Sequence, residues 1–117
     1  MKISKIQIGL NYKPFIIAEM SGNHNQSLER ALEIVEVASK TGVQAIKLQT
    51  YTPNTITLDV KEGDFVIDDK ESPWEGKTLY ELYDEAHTPW EWHEPIMKLA
   101  NKLGMLCFST PFDDAAV

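Results

Sequence analysis

Three short apolar runs, "FIIAEM" (15–20), "VQAIKLQT" (43–50) and "MLCFST" (105–110), are spaced along the chain with helix-patterned stretches between them. This alternation constrains the fold more than any other feature. A run that is apolar at nearly every position reads as a strand covered on both faces. Strands joined through helices pair in parallel, by right-handed crossovers. Between the first two runs, Leu28, Ala31, Leu32, Val35 and Ala38 recur at helical spacing from about Leu28 to Thr41. Ser27 or Asn25 can cap that helix, and Gly42 stands where its end needs positive φ. Before the third run, Thr88 reads as an N-cap, Pro89 as the first helical residue and Glu91 as the capping-box partner. Its apolar stripe is Trp92, Ile96, Leu99 or Ala100, and Leu103, and Gly104 ends it. "TLYELYDEA" (78–86) carries a shorter helical pattern. The expected fold is α/β: about three βα units, or about three-eighths of a (β/α)8 TIM barrel.

The remaining segments fit around that frame. "ISKIQIGL" (3–10) alternates with period two and predicts a strand, and Asn11 to Pro14 read as a turn, so a short N-terminal hairpin with the next strand is expected. Residues 51–77 hold Pro53, Gly63, Pro73, Gly76 and many acids, and predict a long loop with a short strand at "DFVID". At 117 residues the chain is one domain at most, or a piece of one. "LCFSTPFDDAAV" reads as a strand followed by the start of a loop or helix, as if the barrel continued.

Charge and composition narrow the class. The net charge of -7 disfavours binding to nucleic acid or an anionic membrane. A single cysteine, Cys107, excludes an internal disulfide and a CxxC metal site. No signal peptide is visible and no window is as apolar as a membrane span, so a cytoplasmic location is expected.

Polar residues fall at the carboxyl ends of the three strands. Ile17 and Glu19 share one alternation set, as do Ala45, Lys47 and Gln49. Cys107 and Ser109 are placed with them, opposite Leu106 and Phe108. Ligands of α/β sheets and barrels sit at the carboxyl ends of strands, so a carboxylate, an ammonium, an amide and a hydroxyl there predict the floor of an active site. The simpler alternative is a structural Glu19–Lys47 ion pair. His24 has no partner at metal-ligand spacing and is expected to shape the structure or the site. His87 and His93 flank a helix start and are expected to cap it or face solvent. Trp90 and Trp92 are expected to pack in the core. Tyr51 directly follows the second strand and either lines a pocket or packs beside it. The acids of 59–71 read as a solvated loop, and Cys107 as a small interior residue rather than a nucleophile.

"IAEMSGNHNQSLERALEIVEVASKTGVQAIKLQTYTPNTITLD" and "LCFSTPFD" resemble the N-terminal part of the sialic acid synthase family, the N-acetylneuraminate and pseudaminic acid synthases. Within it, "EMSGNHNQS", "TLYELYDEAHTPWEWH" and "LCFSTPF" most resemble pseudaminic acid synthases. The resemblance implies a (β/α)8 barrel followed by a small antifreeze-like (SAF) domain, with residues 1–117 covering the first three βα units. It implies condensation of phosphoenolpyruvate with an acetamido-sugar aldehyde to form a nonulosonic acid. A divalent metal, manganese or magnesium, is implied as cofactor, with ligands on later strands and none in this chain. A homodimer is implied for the full length. By the same resemblance Glu19 is the catalytic acid/base, or the orienter of substrate and attacking water. Lys47 contacts phosphoenolpyruvate and Gln49 the sugar. Asn23 and His24 shape the site, and Ser109 and Thr110 lie at its rim. Two other readings stand beside this one: an N-acetylneuraminate synthase, and a non-catalytic remnant or interaction domain.

Overall fold

The structure is a computed structural model describing residues 1–117. It opens with β1 (Lys2–Ile3) and β2 (Ile6–Gln7), paired antiparallel with Ile3 opposite Ile6. The hairpin therefore starts one residue before the segment expected to be a single strand and falls otherwise within it, and it does not involve the next strand. Ser4 makes the reversal possible by taking φ of 53°, in the left-handed region.

The three apolar runs form β3 (Ile17–Glu19), β4 (Ala45–Thr50) and β5 (Leu106–Pro111), one parallel sheet in the order β3-β4-β5. Helix α1 (Leu28–Lys40) joins the first two strands. The Ser27 side chain accepts from the Arg30 backbone N–H, and Gly42 takes φ of 81° beyond the helix end, both as expected. Residues 51–77 contain α2 (Pro53–Ile56) and a 3-10 turn at Gly63–Phe65. The strand expected at "DFVID" reduces to a single antiparallel bridge between Val66 and Thr78.

Helix α3 (Leu79–Ala86) begins with a capping box. Thr78 accepts from the Glu81 N–H, and the Glu81 carboxylate accepts from the Thr78 N–H. The box expected ten residues later does not form. Pro89 lies outside the helix, Trp90–Trp92 make a 3-10 turn, and α4 (His93–Lys102) starts without a side-chain cap. The cause is a competing partner: the Thr88 hydroxyl is buried against His24.

The core lies between the sheet and its helices. Ile46 and Leu48 of β4 meet Ala31, Val35 and Ala38 of α1 and Ile96 and Ala100 of α4. Every other residue of β4 thus points at the helices, as the period of a strand dictates. Leu103, expected in the α4 stripe, is instead exposed. The opposite sheet face is only partly covered: Ala45 is buried there, beside Ile3 and Phe15 of the N-terminal segment. Ile17 and Phe108 remain exposed there, although full apolarity had suggested cover on both faces. No helix is long and apolar enough to cross a membrane.

Candidate functional site

The sheet face opposite the helices carries the polar cluster. Glu19 and Lys47 are register partners in the β3–β4 ladder, and Gln49 lies two residues further along β4 on the same face. Gln49 Nε2 donates to Glu19 Oε1 at 2.7 Å, and Lys47 Nζ stands 3.2 Å from Glu19 Oε2. Each carboxylate oxygen therefore has its own donor. These two partners hold the Glu19 carboxyl below its ordinary range, Gln49 contributing most and Lys47 next. Glu19 is thereby kept ionised, in a form that accepts protons and hydrogen bonds rather than donating them. The Lys47 and Glu19 side chains are 29% and 43% exposed, so the pair is open to a ligand.

A pH dependence follows. The folded value of Glu19 lies below that of an unfolded glutamate. Its contribution to stability is present above the unfolded value and is lost as pH falls through the folded one. A carbon-13 titration of the Glu19 carboxyl should give a midpoint below the usual carboxylate range, and Gln49→Leu should raise it.

The register corrects the third strand. Cys107 pairs with Ile46, and Ser109 with Leu48, so both lie on the helix side of the sheet. Cys107 packs against the core, where burial raises its thiol to about 11. The Ser109 and Thr50 hydroxyls are 2.5 Å apart, and Thr50 Oγ1 is 2.6 Å from His93 Nε2. His93, expected to cap or face solvent, is thus tied to the ends of two strands. Phe108 and Thr110 take the site face instead, in register with Lys47 and Gln49. Since Ser109 and Thr110 are consecutive strand residues, they cannot share a face, and that rule was available in the sequence. Below the polar row, Ile3, Phe15, Ile17, Leu106 and Phe108 line an apolar hollow of about 400 Å³.

Asn23 is exposed on the loop after β3, while His24 beside it is fully buried. His24 Nδ1 accepts from the Gln26 N–H at 3.2 Å, which leaves Nε2 to carry the proton donated to Thr88 Oγ1 at 3.0 Å. The Trp92 ring meets the imidazole edge-on at 5.3 Å, and burial lowers the His24 pKa. His24 is therefore a neutral anchor inside the protein. Tyr51 is likewise buried, edge-on to Tyr83 and Phe112, and burial raises its pKa. No three His, Cys, Asp or Glu side chains come together as a metal site would require.

Known proteins share this arrangement of strands and helices. The crystal structure of the N-acetylneuraminic acid synthetase from Leptospira borgpetersenii matches 99% of this chain with a TM-score of 0.77 and 27% identity, over 35% of its own length. The three parallel βα units thus match the N-terminal third of a TIM barrel. The pseudaminic acid synthase of Campylobacter jejuni is 52% identical over 100 residues, which is 86% of this chain and 29% of that protein. That of Helicobacter pylori is 45% identical over 104 residues, 89% of this chain and 30% of that protein. The chain therefore spans about 30% of the length of these relatives. The model of the NeuB family matches residues 34–117, a stretch that includes Lys47, Gln49 and the whole of β5. With that match over most of its length, the chain belongs to the NeuB family.

Proposed function

We propose that this chain supplies part of the substrate floor of a phosphoenolpyruvate-dependent nonulosonic acid synthase, with the acceptor preference of a pseudaminic acid synthase. The observation that carries the reading is the Glu19–Lys47–Gln49 cluster at the carboxyl ends of adjacent parallel strands. It occurs in a chain 52% identical to a pseudaminic acid synthase.

The residues suit the reaction. Phosphoenolpyruvate is a compact polyanion, and the protein is acidic overall. Lys47 provides a local cation, and an ammonium binds phosphate or carboxylate as a point charge. It is held in place by Glu19 before any ligand arrives, which lowers the ordering cost of binding. Gln49 spends one amide hydrogen on Glu19. Its second hydrogen and its carbonyl remain for the hydroxyls or acetamido group of the sugar. The ionised Glu19 accepts a hydrogen bond from the sugar or from the water that attacks the condensed intermediate, and so fixes their direction. Thr110, in register with Gln49, adds a hydroxyl on the same face. The family resemblance also implies a divalent metal. The side chains present do not form its site.

The test is a chimera in which this chain replaces the matching segment of the Campylobacter jejuni synthase. It should release phosphate from phosphoenolpyruvate with a bis-acetamido-trideoxy hexose and manganese. The 117-residue chain alone should release none under the same conditions. N-acetylmannosamine in parallel separates the two acceptor classes: preference for it would move the assignment to an N-acetylneuraminate synthase. A well-folded chimera silent with both sugars would sink the proposal.

A further inference from the structure

The loop between β3 and α1 has an unusual backbone. Asn25 and Gln26 stand consecutively in the left-handed region, at φ of 49° and 54°. Asparagine tolerates this conformation, whereas glutamine has no local hydrogen bond to favour it. Such strain persists only where the surroundings over-determine it.

The surroundings do so through the Gln26 side chain. Its Nε2 donates to Glu85 O at 2.5 Å and to His87 O at 2.7 Å. These carbonyls lie at the carboxyl end of α3, where helix carbonyls lack intrahelical partners. The same loop touches the α3–α4 link at two further points. His24 bonds Thr88. Gly22 lies so close to Ala86 that an added Cβ would stand 2.8 Å from the Ala86 Cβ. Gly22, His24 and Gln26 thus together press the loop onto residues 85–88.

We propose that Gln26 is a positioning residue of the site rim: its side-chain amide clamps the β3–α1 loop onto the end of α3 and thereby sets the path of the backbone that carries Asn23. Gln26 itself makes no hydrogen bond to Glu19, Lys47 or Gln49. Its consequence for turnover rests on the function proposed above, but the clamp does not.

Two substitutions separate the clamp from the backbone conformation. Gln26→Gly relieves the positive φ and removes both donors. Gln26→Glu keeps the length and the φ but turns an acceptor toward two carbonyls. In the 117-residue chain, amide hydrogen exchange at residues 26 and 27 should quicken about tenfold or more in both variants, since two hydrogen bonds are lost. Exchange at Val35 in α1 should hardly change, and the melting temperature of Gln26→Gly should fall only slightly, because relief of the positive φ offsets part of the two lost hydrogen bonds. In the chimera both variants should raise the KM for the acceptor sugar several-fold with little change in kcat. Unchanged exchange in Gln26→Gly would overturn the clamp, and an unchanged acceptor KM would overturn the positioning role. If the unsubstituted chimera were inert, the function would fall, and the exchange data on the chain would still decide whether Gln26 holds the loop.

Discussion

Lys47→Ala is expected to lower kcat/KM for phosphoenolpyruvate in the chimera by about 100-fold or more, on the order of 3 kcal/mol for a lost charge-assisted contact. The effect should fall mainly on phosphoenolpyruvate and less on the sugar. Stability should hardly move. Both members of the Glu19–Lys47 pair are partly exposed, and pairs of that kind contribute less than about 1 kcal/mol. The Glu19 carboxyl should titrate higher in this variant, though Gln49, its larger partner, remains. Steady-state kinetics and a thermal melt of the same preparation check both halves. A loss of melting temperature that tracked the loss of turnover would assign Lys47 to the fold rather than the site.

Leu48→Ala should show the opposite profile. Leu48 lies between Lys47 and Gln49 in β4 but points to the other side of the sheet, fully buried among the helices. Truncating such a leucine removes transfer free energy and leaves a cavity, together about 2–5 kcal/mol. A small domain has only about 5–15 kcal/mol in all. The urea midpoint should therefore fall sharply. Under conditions where the variant stays folded, the Glu19–Gln49 hydrogen bond should survive, because alternation isolates the two faces. A midpoint close to that of the unsubstituted chain would contradict the core described here.

These two neighbours show what the sequence makes legible. Period two in "VQAIKLQT" separates site from core residue by residue, because Ile46 and Leu48 are apolar and Lys47 and Gln49 are not. In "MLCFST" both alternation sets mix apolar and hydroxyl residues, so the pattern does not fix the faces. Register with β4 does, and register is a property of two strands rather than one. The helix at Leu28–Lys40 was legible because its cap, stripe and terminal glycine agree. The start of α4 was not, since Thr88 satisfies the rules for a cap while a histidine 64 residues earlier takes its hydroxyl. The same long-range contact fixes the role of His24, which local spacing left open. The clamp by Gln26 was also out of reach of local patterns: its partners are carbonyls about 60 residues away.

The central proposal is that Lys47 forms the anion-binding corner of a prepared polar cluster. Nuclear magnetic resonance on the 117-residue chain tests this most directly, by following the Glu19 carboxyl carbon and the Gln49 side-chain amide as phosphoenolpyruvate is added. An ammonium shared with an incoming polyanion is partly withdrawn from Glu19. Both signals should therefore shift in a saturable way, the Glu19 midpoint should rise, and Lys47→Ala should abolish the response. Signals that stay fixed at saturating phosphoenolpyruvate, or that shift equally in Lys47→Ala, would contradict it.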